Sequence, residues 1–192
     1  DVIYTSGIVQ KKKLENAELL NSIPIEVLGS VRYLGKHIKT KGSKNNKLTC
    51  LVIPEGIESE INTLFQFSLK CSLLLPKVKF IWRLHPVFSF EKLSSKNGMY
   101  KTLPNNIILS NKSLQEDFEV CEWVLYRGSS AVIQSVVAGL KPIYLHDSNE
   151  MKIDPIFEIK NWKSEVETVK NSQELFYGGA GNFEDYSQAK KY

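Results

Sequence analysis

Cysteine is scarce and unpatterned in this sequence, with Cys50, Cys71 and Cys121 an odd number at wide spacing. That excludes a disulfide framework and the paired spacing of a zinc motif. Cys50 falls in an apolar strand-like run and Cys71 in a helix-like one. All three read as reduced core thiols, which pack as small hydrophobes, and the expected compartment is cytoplasmic. No apolar run reaches the roughly eighteen residues of a transmembrane helix, and no charged segment followed by an apolar stretch opens the chain as in a signal peptide. No G-x-G-x-x-G follows the first strand of the main run, which argues against a dinucleotide-dependent dehydrogenase, and no G-x-x-x-x-G-K-[ST] occurs, which excludes a P-loop enzyme. His, Asp and Glu nowhere take up metal-ligand spacing, and no internal repeat is visible.

What is present is a globular composition. The chain has 192 residues, 42% of them hydrophobic, enough to core one domain, with or without a fragment of another. Much of the net charge of +4 comes from Lys11 to Lys13 and from the stretch 36–47. These runs read either as solvated surface or as a surface drawn to acidic lipid headgroups, hence a peripheral contact with the inner membrane. Nucleic acid is not an expected partner, because no binding motif accompanies the charge. The abrupt opening DVIYTSG and closing AKKY read as the ends of a piece of a longer protein.

Short β-branched runs alternate with longer helical patterns, the signature of βαβ units in a mostly parallel sheet. Strands are expected at 2–5 and 25–28, bracketing a helix at about 9–20. The Lys-, Gly-, Ser- and Asn-rich stretch 36–47 reads as a linker. Five buried strands then follow at 48–53, 79–82, 106–109, 123–126 and 142–145. A helix is expected at about 58–74 before Pro76, another behind the capping box Ser113-Leu114-Gln115-Glu116, and a third at 129–138 ending at Gly139. A short helix from about Ser172 and a Gly-rich turn at Gly178 to Gly181 close the chain. Doubly wound sheets of this kind commonly order the five strands three, two, one, four, five, and bind ligands beyond the carboxyl ends of the strands, where one and four lie side by side.

The loops after strands one, two and four carry the least ordinary residues: Pro54-Glu55-Gly56, Arg83-Leu84-His85-Pro86 and Arg127-Gly128-Ser129-Ser130. Gly128, Ser129 and Ser130 stand where a strand turns into a helix, so free N–H groups, two hydroxyls and a helix dipole can converge on a phosphate; alternatively one serine merely caps the helix. His85, fixed by Pro86, is either a proton donor beside that phosphate or a satisfied histidine at a strand end. Glu55, next to Gly56, reads as a general base, a ribose ligand or a charge complementing a helix dipole. Arg83 and Arg127 read as phosphate partners or as charges at strand ends. His37 lies in the basic stretch, and His146 follows strand five with a peripheral binding role open to it.

Leu84-His85-Pro86 together with Gly128-Ser129-Ser130 resembles the HP and SS motifs of bacterial sialyltransferases, polysialyltransferases and capsule Kdo transferases, over about residues 48–159. The resemblance implies a GT-B fold, two Rossmann-like domains with CMP held mainly by the C-terminal one. It further implies that His85 binds the CMP phosphate and assists its departure while Ser129 and Ser130 grip the same group. Pro54-Glu55-Gly56 is similar to the family's acidic-acidic-Gly motif, whose acidic residue activates the acceptor, but Pro54 stands at the first acidic position. The stretch from Pro142 through Asp154-Pro155 is similar to the family's region around the base and ribose. On this resemblance residues 1–35 are the end of an acceptor domain, 36–47 a linker and 48–192 the nucleotide-sugar domain. The expected activity is metal-independent transfer, without a cofactor, of sialic acid or Kdo from a CMP-sugar to a bacterial surface glycan, in capsule or lipopolysaccharide synthesis. With the acceptor domain missing, the isolated chain is expected to bind a nucleotide and catalyse nothing. Two rivals are a GT-B transferase using a UDP- or GDP-sugar and a catalytically inert Rossmann-like binding or scaffold module.

Overall fold

The computed structural model describes residues 1–17, 20, 22–30, 48–158 and 163–178. The stretch 36–47, His37 and the turn from Gly178 onward, apart from Gly178 itself, lie outside them. Two parallel sheets form. β1 (Ile3–Thr5) and β2 (Ile25–Val27) pair in register Ile3 with Ile25, joined through helix α1 (Ile8–Asn16). The larger sheet holds β3 (Thr49–Val52), β4 (Lys79–Trp82), β5 (Ile107–Leu109), β6 (Trp123–Tyr126), β7 (Lys141–Leu145) and β8 (Ser164–Val166). Their order is β5-β4-β3-β6-β7-β8, every pair parallel. This is the expected order of the five main strands, with β8 added at the edge. Sequence pattern misses β8 because Ser-Glu-Val is short and polar and takes its conformation from pairing with β7.

Alternation along each strand divides the interior in two, as the period of two requires. Cys50, Val52, Phe80, Trp82, Leu125 and Ile143 face one core. It is covered by α2 (Glu58–Leu74), by Leu93 of α3 (Phe90–Lys96) and by Leu175 and Phe176 of α6 (Val169–Gly178). Leu51, Ile81, Val124, Tyr126 and Tyr144 face the other, under α4 (Leu114–Val120) and α5 (Ala131–Val137). In the first core Phe65 stacks on Trp82 at 4.1 Å, with Tyr100 edge-on to both. Strands buried on both faces explain why these runs are continuously apolar. Cys50, Cys71 and Cys121 are free thiols, and burial pushes the Cys71 thiol up to about 11.

Helix ends follow local chemistry. The Ser113 side chain accepts from Glu116 N and Glu116 accepts from Ser113 N, the reciprocal box the sequence predicts. α5 stops at Gly139, whose φ of 91° lies in the left-handed region and lets Leu140 N donate to Ser135 O at 2.9 Å. Gly139→Ala is therefore expected to cost about 1 kcal/mol, seen as a lower urea midpoint with an unchanged slope. The β1–α1–β2 unit touches the larger one through Lys13, which pairs with Glu158 at 2.5 Å and lies 4.5 Å from the Phe157 ring.

Candidate functional site

β3, β4 and β6 are neighbours at the centre of the sheet, and their ladder continues one residue past the strands. Ile53 N donates to Leu125 O at 3.1 Å and Arg83 N to Val52 O at 3.0 Å. The three loops therefore leave the sheet side by side. Phe88 N donates to His85 O at 2.9 Å, closing a turn with Pro86 at its second position, where a fixed φ suits it. Val87 N donates to His85 Nδ1 at 3.4 Å. In the neutral ring that leaves the proton on Nε2, on an exposed side chain able to donate.

Two glycines show how closely the loops meet. A methyl group on Gly56 would lie 3.1 Å from His85 Nδ1, so the imidazole rests against the loop after β3. A methyl group on Gly128 would lie 2.6 Å from Glu55 Oε1, so the Glu55 carboxylate rests against the loop after β6. A side chain at Gly128 would require the Glu55 carboxylate to move, and one at Gly56 would require the His85 ring to give by a few tenths of an ångström. Structure thus brings Glu55, Gly56, His85 and Gly128 into one cluster, with Ser129 and Ser130 following directly. Ser130 is the N-cap of α5 yet makes no side-chain cap hydrogen bond, so simple helix capping does not occupy its hydroxyl. In the first turn of α5, Val132 N donates to Ser129 O at 3.2 Å and Ile133 N to Ser130 O at 3.1 Å.

The two arginines are placed differently. Arg83 Nη1 donates to Lys112 O at 2.6 Å and to Asp117 Oδ2 at 2.8 Å, which turns its charge toward α4 and away from the cluster. Arg127 is buried; its Nε faces Glu60 Oε2 at 3.2 Å and its Nη2 donates to Glu150 Oε2 at 2.5 Å. It clamps the first turn of α2 and the loop after β7 to the end of β6. Two carboxylates thus answer the Arg127 charge, and one answers that of Arg83.

Desolvation holds the Glu60 carboxyl above its ordinary 4.5, opposed by Arg127 and reinforced by Glu55 and Glu150. A carboxyl whose pKa is raised on folding contributes stability that is complete below 4.5 and is lost as pH rises through the folded value. Glu60→Gln is expected to remove that loss, so the variant's stability falls less than the parent's between acid and neutral pH, as checked by urea unfolding across that range.

Asp154, in the stretch similar to a base and ribose region, faces inward. Tyr126 Oη donates to its Oδ1 at 3.0 Å, Ile156 N does the same at 3.0 Å, and Lys163 pairs with its Oδ2. His146 stacks on Tyr144 at 6.3 Å between ring centres. Glu60, Glu150 and Lys163 escaped the sequence reading because they lie far apart in the chain; the one local signal was an acidic residue in the first turn of α2. Among the described residues no group of three or more His, Cys, Asp or Glu is placed to hold a metal ion, and no helix is long and apolar enough to cross a membrane.

No protein-family model and no curated protein matches the sequence. Solved structures do match. The GtfA/B complex aligns with a TM-score of 0.63 and 13% identity, over 99% of this chain and 41% of the other. A point mutant of S. aureus TarM, solved with UDP among its ligands, aligns at 0.57 and 14%, over 98% and 39%. The pneumococcal O-GlcNAc transferase GtfA, solved with UDP and GlcNAc, aligns at 0.55 and 12%, over 99% and 36%. The chain thus spans about two-fifths of the length of the structures it matches. At such identities the likeness concerns the fold, and the fold is the α/β Rossmann-like one of GT-B glycosyltransferases.

Proposed function

We propose that this chain is the donor-binding part of a glycosyltransferase that transfers an acidic sugar, sialic acid or Kdo, from a CMP donor to a hydroxyl of a bacterial surface glycan. The observation that carries the reading is the meeting of the three marked loops, with an exposed imidazole against Gly56 and the Glu55 carboxylate against Gly128. In the reaction the bond from the anomeric carbon to the phosphate oxygen breaks and its electron pair stays on that oxygen. His85 Nε2 donates a hydrogen bond or a proton to it, and the Ser129 and Ser130 hydroxyls with the N–H groups of the loop hold the developing charge. The acceptor hydroxyl attacks the carbon and gives up its proton, for which Glu55 is the base within this chain. A single phosphate met by these donors needs no metal. Arg127 acts at one remove, as a cation behind the loop, and Arg83 supports the neighbouring turn. Residues 48–192 form the nucleotide-sugar domain and 1–35 the end of an acceptor domain, in an enzyme working in the cytoplasm against the inner membrane.

A UDP-sugar donor is the second reading, favoured by the UDP in the TarM and GtfA structures. Calorimetric titration with CMP, UDP and GDP separates the two. Selective CMP binding supports the proposal, preference for UDP moves the donor, and binding of none contradicts both.

A further inference from the structure

Glu55 is the only acid in the three marked loops. Its half-buried side chain makes no hydrogen bond or ion pair among the described residues. The two arginines of the loops are taken, Arg127 by Glu60 and Glu150 and Arg83 by Asp117. Desolvation holds the Glu60 carboxyl above its ordinary range and Glu55 adds to that shift, so the two acids feel each other. Packing alone keeps the Glu55 carboxylate where it is.

That place is the loop after β6. A methyl group on Gly128 would lie 2.6 Å from Glu55 Oε1 and 2.7 Å from both Cδ and Oε2. Near-equal distances to all three atoms mean that the carboxylate lies broadside on the glycine. Ser129 follows, only 9% exposed, and neither its hydroxyl nor that of Ser130 has a hydrogen-bond partner among the described residues. The loop thus carries an anion on its glycine and two unmet hydroxyls beside it. A phosphate gripped by those hydroxyls and a carboxylate left on Gly128 would be like charges on consecutive residues, which repel across a few ångströms even where water screens them. We infer that the Glu55 carboxylate rests on Gly128 only while the site is empty, and that an incoming donor phosphate drives it off the loop and frees it for the acceptor hydroxyl. The base is then presented only with the donor in place. The inference rests on the donor reading for the phosphate, and on the contact between Glu55 and Gly128 for the competition.

Calorimetric titration of the 192-residue chain with CMP and with cytidine tests it, in the parent and in Glu55→Gln, which keeps the size of the side chain and removes its charge. CMP is expected to bind about tenfold more tightly to Glu55→Gln, and the gain to shrink as salt rises. Cytidine, which brings no charge, is expected to bind both proteins equally. A crystal structure with CMP should show the Glu55 carboxylate clear of Gly128. A parent that binds CMP as tightly as Glu55→Gln, or a carboxylate still against Gly128 beside a bound phosphate, would overturn the inference and leave the donor reading standing. Equal tightening of CMP and cytidine would mean that the side chain obstructs the site without repelling the phosphate, which also overturns it. Failure of both proteins to bind CMP would remove the phosphate site itself, and the inference with it.

Discussion

His85→Ala in the full-length transferase is expected to lower sugar transfer by about 10²–10⁴-fold, the usual contribution of a positioned acid or base. Three features set that size. The turn closed by Phe88 N on His85 O, with Pro86 inside it, fixes the backbone that carries the ring. Contact with Gly56 fixes the ring's place, and Val87 N on Nδ1 leaves Nε2 as the donor. Since His85 is exposed, its loss leaves the fold intact. The result to look for is a fall in kcat with an unfolding midpoint within about 0.5 kcal/mol of the parent, as for other surface changes. His85→Asn, which keeps a donor of similar size but cannot pass a proton, discriminates hydrogen bonding from proton transfer. Full rescue by Asn would assign hydrogen bonding alone, and an active His85→Ala enzyme would remove His85 from the chemistry.

The largest expected effect on stability lies at Asp154. Its carboxylate is fully buried beside a Lys163 side chain only 2% exposed, and it accepts from both Tyr126 and Ile156. Removing one partner of a buried pair strands the other charge and costs about 3–5 kcal/mol. Asp154→Ala leaves Lys163 with Glu165 Oε1 at 3.5 Å, so it is expected at the lower end of that range, still a large share of the roughly 5–15 kcal/mol that holds a domain together. It also leaves the Tyr126 hydroxyl unpaired. Lys163→Met alone strands a carboxylate that still has two donors, and should cost less. Replacing both, Asp154→Leu with Lys163→Met, is expected to recover most of the loss, because charged pairs in such places stabilise little beyond apolar packing. Urea unfolding of the three variants reads the difference, and equal losses in the double and the Asp154 variant would contradict the pairing.

The β5-β4-β3-β6-β7 core was legible in the sequence because its strands carry continuous apolar runs, buried on both faces at the centre of the sheet, and helices between them leave caps and breakers at Ser113, Pro76 and Gly139. The helix at 58–74 emerges with the expected bounds for the same reason. β8 and α3 were not legible, since Ser-Glu-Val lacks the apolar run that marks the equally short β5, and α3 lacks the capping box that marks the equally short α4. At the site, sequence order placed His85 and Gly128 to Ser130 on the two loops that flank the one after β3. It did not show that Glu55 lies against Gly128, because that contact depends on side-chain direction. Nor did it show where the arginines turn. Arg83 and Arg127 stand in the marked loops, yet each finds carboxylates from other elements, Asp117 for one and Glu60 with Glu150 for the other.

The central claim is that the three loops hold a nucleotide by its phosphate, and calorimetric titration of CMP beside cytidine tests it most directly. CMP should bind at least about tenfold more tightly than cytidine, the value of one or two charge-assisted hydrogen bonds, and Ser129→Ala with Ser130→Ala should narrow that gap. Equal affinity for CMP and cytidine, or a gap indifferent to both serines, would contradict it.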